Sequence, residues 1–380
     1  MKLEVYQYSE RAGWDSIPAV SMDSPQTLLL FFGSADQALV TPQLEILSQS
    51  FPNSVIAGCS SAGEIYGDDV YDNSVSLAVI QFEDTRLKMA SSQISDSTDS
   101  RAVGKNIIDD LCDDSLRSVI VLSDGLAVNG TQLVEGMCDS LPKDVVITGG
   151  LAGDGDRFEK TWVWSNAKMQ LDHICAIGFY GESIGVGHGS RGGWDVLGPE
   201  REVTRSAENV LFELDGQPAL QLYKKYLGDR ADGLPATGLL FPLSISSEDE
   251  NTENVVRTIL AVDEENNSIT FAGDIPMGSN VRLMRANFDR LIDGAVDAAG
   301  VINLSGYNNG PLLSIAISCV GRRLVLGPRT EEEIDAALSG MPDGTKQIGF
   351  YSYGEISPLA NGKCDLHNQT MTLTAIWENI

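Results

Sequence analysis

The sequence has no stretch of about 18 uninterrupted apolar residues, the length that a helix needs to cross the hydrocarbon core of a membrane. Residues 1–10 carry one Lys and are otherwise mostly polar, and no apolar core follows them, so we expect no secretory signal peptide. These two absences predict a cytoplasmic protein without a membrane partner.

Paired cysteines are also lacking. The six cysteines are scattered without CxxC spacing: Cys59, Cys112, Cys138, Cys175, Cys319 and Cys364. This pattern argues against a cysteine zinc site, and a disulfide framework is unexpected in a chain of 380 residues. We therefore expect free thiols, as is typical of the reducing cytosol.

Positive charge is scarce relative to negative charge. The chain carries 26 Lys and Arg against 54 Asp and Glu, which gives a formal net charge of −28. A surface this acidic repels phosphate backbones and anionic lipid headgroups, so we expect neither a nucleic acid nor a membrane as a partner. The favoured interpretation of the charge is solubility, and an acidic docking face is the alternative.

An internal repeat of strands and amphipathic helices is the main feature that the sequence does contain. Residues 51–64 match residues 141–154, since both run through Pro, an apolar strand, Gly, Ala-Gly and a carboxylate. A third copy at residues 349–356 parallels residues 58–65. A fourth, degenerate copy is expected over residues 255–299.

The repeat predicts a mixed α/β (α+β) fold of duplicated α/β units, with paired mixed sheets covered by helices. Its period, on the order of 90 residues, is too long for a solenoid. The segments that end the repeats should form the same strand corner in space: residues 59–64, 149–154 and 350–355.

Two domains are expected from the distribution of charge and turn residues. Residues 1–226 would form a first domain with two internal repeats, and residues 227–380 a second domain. The linker candidate is residues 227–238 followed by 246–254, and the alternative is an ordinary long loop.

The segment Gly58-Cys-Ser-Ser-Ala-Gly-Glu64 allows three interpretations. Its small residues resemble a phosphate-binding loop, but it lacks the Lys-Ser/Thr of a P-loop and a strand follows it. A sharp strand corner or close packing between repeats is favoured. The third interpretation makes Cys59 or Ser60 the nucleophile of a hydrolase, which requires one of only three histidines as its base.

His188 lies in an unusual context, Gly185-Val-Gly-His-Gly-Ser-Arg-Gly-Gly-Trp194. Flanking glycines would give a flat ligand room to approach the backbone, and a neutral imidazole is a good ligand for haem iron. Arg191 and Trp194 follow in the same segment and are candidate ligand-binding residues. The alternative is a surface histidine in a flexible turn.

His367 and the doublet Arg322-Arg323 complete the candidate ligand-binding set. His367 precedes the last strand and stands among Asn, Gln and Thr, which could bind a ligand or tie down a turn. The two arginines could hold a carboxylate or a propionate, or they could pair with the acidic run at residues 331–333. His367 is the next candidate iron ligand after His188.

Two ordered sets of motifs are similar to the FIST family, named for F-box and intracellular signal transduction. The motifs that resemble its N-terminal domain are residues 58–64, 185–199, 203–206 and 213–219, and those that resemble its C-terminal domain are residues 318–323, 349–358 and 366–370. The resemblance covers nearly the whole chain. It implies a sensory module for small ligands such as amino acids.

One branch of that family has the same stand-alone arrangement of the two domains. Resemblance to it implies haem binding, nitric oxide sensing and regulation of a bacterial histidine kinase or a cyclic-di-GMP enzyme. His188 is then the expected iron ligand, and an amino acid is the alternative ligand to haem. We expect a regulatory sensor and not an enzyme, and exposed repeat edges are consistent with a homodimer.

Overall fold

The computed structural model describes residues 1–142, 144–246, 254–359 and 362–379. Within those residues, three mixed sheets and an antiparallel sheet are packed with α-helices, which confirms the predicted mixed α/β class. No helix in the described ranges is long and apolar enough to cross a membrane. The three mixed sheets repeat one plan of four strands.

The first repeat contains the crossover helix α1. Its elements are β1 (Lys2–Ser9), β2 (Gly13–Trp14), β3 (Thr27–Ser34), α1 (Gln37–Ser50), β4 (Val55–Ser61), β5 (Glu64–Tyr66), β6 (Asp69–Tyr71) and β7 (Ser74–Gln81). The four core strands lie in the order β4, β3, β7, β1, with only β3 and β4 parallel. Asp36 caps α1 by accepting a hydrogen bond from the Ala38 amide at 3.0 Å.

The second repeat has the same plan, with strand order β10, β9, β13, β8 and the single parallel pair β9–β10. Its elements are β8 (Arg86–Gln93), α2 (Ser100–Leu111), β9 (Leu116–Ser123), α3 (Gly130–Cys138), β10 (Val146–Leu151), β11 (Val163–Ser165), β12 (Lys168–Gln170) and β13 (His173–Tyr180). Asn129 caps α3 by accepting from the Gln132 amide at 3.1 Å.

An antiparallel sheet is inserted after the first strand of the third repeat. The elements are β14 (Ile184–Arg191), which belongs to the repeat, and then β15 (Asp195–Ala207), β16 (Val210–Leu214), β17 (Gln217–Pro218), α4 (Ala219–Leu227), β18 (Leu243–Ile245), β19 (Val255–Arg257), β20 (Ile259–Asp263), β21 (Ser268–Phe271) and β22 (Asn280–Arg285). The fourth copy expected over 255–299 is wrong, because the strands in that range pair only antiparallel.

The third repeat then resumes with the helix that the sequence assigned to the fourth copy. Its elements are α5 (Phe288–Gly300), β23 (Leu313–Cys319), α6 (Val320–Leu326), α7 (Thr330–Ser339), β24 (Lys346–Ser352), β25 (Gly354–Pro358), β26 (Cys364–His367) and β27 (Met371–Glu378). Helix α5 packs on β14 and β27. The strand order β24, β23, β27, β14, with β23 and β24 parallel, repeats the plan of the other two sheets.

Each repeat sends the strand that follows its corner into a neighbouring sheet. Strand β5 pairs with β24, β11 pairs with β4, and β25 pairs with β10. The repeats are therefore joined in a closed ring of three sheets instead of a pair.

The domain boundary expected after residue 226 falls in the last turn of α4 and stays a prediction. Residues 247–253 of the expected linker lie outside the described residues.

The inner faces of the three sheets share one apolar core. Phe32 of the first sheet stacks on Phe350 of the third with ring centroids 4.5 Å apart, and Leu122 and Ile177 of the second join the same cluster. Full burial of side chains of this size is worth roughly 1.5–3 kcal/mol each. The outer faces of the second and third sheets pack under helices in a further cluster.

Candidate functional site

The three predicted strand corners meet where the repeats join. Besides the bonds of the strand ladders, four hydrogen bonds run between them from amide to carbonyl: Ala62 to Tyr351 (2.8 Å), Tyr351 to Gly63 (2.9 Å), Gly153 to Ser60 (3.1 Å) and Tyr353 to Leu151 (3.1 Å). Each corner is thus bonded to both others, and the equivalence predicted for them is confirmed. The second corner differs in one respect, because a loop separates Asp154 from the next strand at Val163.

Small residues at these corners serve close packing between repeats. A Cβ added at Gly153 would lie 2.9 Å from the Cβ of Ala62, and one at Gly63 would lie 2.6 Å from the Arg323 guanidinium. The favoured interpretation of the glycine segment, a sharp corner with close packing, is therefore confirmed.

The carboxylates that follow the corners fasten each corner to a later part of its repeat. Glu64 accepts from the Ser74 amide at 3.0 Å and hydroxyl at 2.9 Å, and Glu355 accepts from the Thr370 hydroxyl at 2.9 Å. Burial raises the pKa of both Glu64 and Glu355 to about 8. At Asp154, burial is outweighed by hydrogen bonds from Tyr353 and backbone amides, and the pKa is lowered.

Cys59 and Ser60 lie inside the packed ring. Cys59 is fully buried in the inner core, and burial raises the pKa of its thiol well above the ordinary value. The Ser60 hydroxyl accepts from the Trp162 amide at 3.0 Å. In the described residues, no histidine is hydrogen-bonded to either side chain. This geometry lacks the base that a Cys or Ser nucleophile needs.

The arginine doublet makes internal contacts. Arg322 is fully buried and forms an ion pair with Glu333 at 2.6 Å, which is the pairing with the acidic run that the sequence offered as one alternative. Its remaining donors go to carbonyl groups of Gly192, Leu291 and Gln369. Arg323 pairs with Asp72 at 2.7 Å and also donates to the Ala62 carbonyl.

The glycines around His188 do not make room for a flat ligand, contrary to the sequence-based interpretation. A Cβ at Gly189 would lie 2.0 Å from the Ala298 carbonyl oxygen, and one at Gly193 would lie 2.0 Å from the Arg290 carbonyl oxygen. Both carbonyls belong to α5. The glycines allow α5 to pack against the outer face of β14, which is the face opposite to the His188 side chain.

Trp194 and Arg191 hold the same region to its surroundings. The Trp194 indole is buried and donates to the Gln369 carbonyl at 2.8 Å. The Arg191 guanidinium donates to the Ser190 carbonyl at 2.8 Å. Arg322 donates to the Gln369 carbonyl as well, so two of the predicted ligand-binding residues together fix the loop that follows His367.

A polar seam lies between the inner faces of the second and third sheets. We define the inter-sheet seam by its five residues, each on a different strand: Thr148, His188, Ser357, His367 and Thr374. His188 is the cross-strand partner of Thr374. Ser357 lies one position beyond Ile356, which pairs with Gly149, and this register places Ser357 opposite Thr148. Strand β25 also contacts β14 and β27, and His367 acts electrostatically on His188.

Unpartnered polar atoms are concentrated at this seam. The hydroxyls of Thr148, Ser357 and Thr374 are buried, and none has a hydrogen-bond partner in the structure. The Asn368 side-chain oxygen and the Gln369 amide, directly after His367, are also without partners. Buried polar atoms are normally hydrogen-bonded, and each exception calls for an explanation such as a water or a ligand.

The two seam histidines are held in the neutral form. Burial lowers the pKa of both His188 and His367, and the proximity of His367 lowers that of His188 further. His367 Nε2 lies 2.9 Å from the Ser357 carbonyl oxygen, which can only accept, so Nε2 carries the proton. Nδ1 of His367 is then an acceptor.

Fixed charges of both signs stand beside His367. Arg257 is buried and lies 3.6 Å from Asp365, and both residues act electrostatically on the imidazole of His367. Arg257 also donates to the Leu366 carbonyl at 2.8 Å. No group of three or more potential metal ligands occurs in the described parts of the chain.

Sequence reasoning found His188 and His367 but missed Thr148, Ser357 and Thr374. The last of these stands in a strand that alternates Thr with apolar residues, a pattern typical of one buried and one solvated face. Here both faces are buried. A hydroxyl residue at a position of such a strand that faces the core is the sequence feature that could have identified Thr374.

Comparison with known proteins gives two family matches, and the similar proteins include a relative from an archaeon and a hydrolase of known structure. Models described as FIST N domain and FIST C domain match residues 27–217 and 219–358, and neither identifies a haem-binding branch. The uncharacterized protein MJ1623 of Methanocaldococcus jannaschii is 24% identical over 378 residues, covering 87% of this chain and 69% of that protein. A cyanuric acid hydrolase from A. caulinodans matches 99% of both chains with a TM-score of 0.36 and 9% identity, too low to carry an argument.

Proposed function

The chain belongs to the FIST family, and from that premise we propose that it binds a small polar ligand in the inter-sheet seam and regulates a separate signalling protein. FIST domains are in general signalling-associated sensors of small ligands. The observation that carries the proposal is the group of buried, unpartnered hydroxyls beside two neutral imidazoles.

An amino acid is the ligand class that the seam favours over haem. Hydroxyl groups at Thr148, Ser357 and Thr374 can both donate and accept, and Nδ1 of His367 can accept from an ammonium group. The charges of Arg257 and Asp365 stand nearby and match a ligand that carries both signs. The carboxylate and the ammonium group of an amino acid would each have a partner there.

Binding is tested by calorimetric titration of the full chain with each of the common amino acids. Thr374→Val and Ser357→Ala should weaken the binding of the amino acid that binds wild type by at least tenfold, because each variant removes a hydrogen bond to a charged ligand group, which is worth about 1.5–3 kcal/mol. Thr258→Val is the matched control, since its hydroxyl is also buried and unpartnered but lies outside the seam. If Thr258→Val weakens binding equally, the placement of the ligand in the inter-sheet seam is contradicted.

Regulation of a partner is the second part of the proposal. The partner class is a bacterial histidine kinase or a cyclic-di-GMP enzyme. A ligand that changes the partner's activity must bind two states of this chain with different affinities. The difference in binding free energy is about 1–3 kcal/mol, which is about 5–150-fold in affinity. Partner activity measured with and without the amino acid should differ in wild type and not in Thr374→Val.

Three further expectations stay predictions. Haem bound by His188 would give a Soret band that shifts with nitric oxide and is lost in His188→Ala. The chain is not expected to turn over a substrate, and amidase or esterase activity abolished by Cys59→Ala or Ser60→Ala would establish the hydrolase alternative. A homodimer, tested by sedimentation, also stays a prediction.

A further inference from the structure

Two thiols lie side by side where α3 ends and β26 begins. Cys138 is the last residue of α3 and Cys364 is the first residue of β26, and the two elements pack together. The two thiols interact with each other, and both line one surface cavity. The sequence gave no indication of this contact, because the cysteines lie 226 positions apart and match no spacing motif.

A surface cavity gives reagents access to the pair. Both cysteines line a cavity of about 470 Å³, together with Leu141, Pro142 and Pro358. Cys138 is partly exposed, whereas Cys364 is buried. A small oxidant would therefore meet Cys138 first.

We infer that Cys138 and Cys364 are a redox-active dithiol that a hydroperoxide oxidises to an intramolecular disulfide. This modification site does not rest on the proposed ligand. The packing of α3 against β26 supplies the pairing, and the shared cavity supplies the entry path. Exposed thiols of cytosolic proteins that react in this way are typically transient redox sensors.

The electrostatics of the pair divide the two roles. The hydrogen bond from Cys364 lowers the pKa of the Cys138 thiol, and burial raises the pKa of Cys364. Cys138 is therefore the attacking thiolate and Cys364 the resolving thiol. Lys363 acts electrostatically on Cys138 in the same direction as the hydrogen bond.

The reaction balances with one hydroperoxide for each disulfide. The Cys138 thiolate attacks a peroxide oxygen, the O–O bond breaks, and sulfenic acid forms at Cys138 with loss of water or an alcohol. The Cys364 sulfur then attacks the Cys138 sulfur, the S–O bond breaks and a second molecule of water leaves. Two electrons pass from the thiols to the peroxide, and both thiol protons end in the released products.

The disulfide would fasten the end of α3 to the strand that carries His367. Cys364 and His367 are the first and last residues of β26, and that strand forms a hairpin with β25, which carries Ser357. Oxidation would thus restrain the hairpin that supplies two residues of the inter-sheet seam.

The test is disulfide mapping of the full reduced chain after treatment with hydrogen peroxide and alkylation of the remaining thiols. We expect an intact mass smaller by two hydrogen atoms before alkylation, and a peptide pair linked through Cys138 and Cys364 that dithiothreitol separates. Cys138→Ser should abolish the link. Cys112→Ser is the matched control, because Cys112 is exposed and should leave the link unchanged.

Three results would overturn the inference. Wild type could retain alkylatable thiols at both Cys138 and Cys364 after peroxide treatment. Cys138 could instead stop at a sulfenic acid that dimedone traps, with no linked peptide. The link could also form with Cys112 or between two chains, which would place the reactive pair elsewhere.

Discussion

Replacing Arg322 with Met removes a buried cation on which several loops converge. The guanidinium bonds Glu333 and the carbonyls of Gly192, Leu291 and Gln369, and it is fully buried. Methionine retains much of the apolar length of the side chain without its charge. The change therefore isolates the polar contribution of Arg322.

The expected loss follows from the burial of the ion pair. Removing one partner of a buried pair typically costs about 3–5 kcal/mol, because the other charge is left uncompensated. Glu333 would still accept hydrogen bonds from Ser318 at 3.1 Å and Tyr351 at 2.8 Å. We therefore expect the free energy of unfolding to fall by about 3 kcal/mol, at the lower end of that range.

Urea denaturation followed by circular dichroism measures this loss. Arg329→Met is the control, since Arg329 is 35% exposed and pairs with Asp289 and Glu332 at the surface. Its loss should be about 1 kcal/mol or less. Adding Glu333→Gln to Arg322→Met should recover part of the stability, because no buried charge then remains without a partner.

Two outcomes would refute the reasoning. If Arg322→Met loses no more stability than Arg329→Met, the buried pair does not hold the loops together. If Arg322→Met and Glu333→Gln are additive in the double variant, the two side chains are not energetically coupled, and the cost belongs to the carbonyl contacts alone.

Three further predictions concern packing and pH, and urea titration checks each. Gly189→Ala should cost about 1–3 kcal/mol because its Cβ would meet helix backbone at 2.0 Å, whereas Gly300→Ala, with open space around it, should change stability by about 0.5 kcal/mol or less. Burial raises the Glu355 pKa from 4.5 to about 8, so between these pH values the folded state holds a proton that the unfolded state releases. The free energy of unfolding therefore falls as the pH rises through that window. Glu355→Gln cannot titrate, so its stability should increase relative to wild type across the same window. Burial lowers the His367 pKa from 6.5, so below about pH 6.5 the unfolded state takes up a proton that the folded state does not. The free energy of unfolding therefore falls as the pH is lowered below about 6.5. If His367→Gln shows the same dependence of stability on pH as wild type, this explanation is contradicted.

The sequence by itself determined the repeated unit and its strand corners. Apolar runs such as β3 and the Ala-Gly-carboxylate endings reflect local constraints, because each unit must bury its strands and turn sharply at the same place. Those constraints repeat in the sequence and can be read without knowing the neighbours. The close approach of small residues at the corners was predicted for the same reason.

Only the tertiary structure decided which repeats exchange strands and what the polar residues face. Thr374 stands in a strand with the alternation of a solvated face, but both faces of that strand are buried. The glycines beside His188 suggested an open approach, and α5 packs against them. These outcomes depend on contacts between residues far apart in the chain. The residues adjacent to a position in the sequence do not indicate which distant surface packs against it.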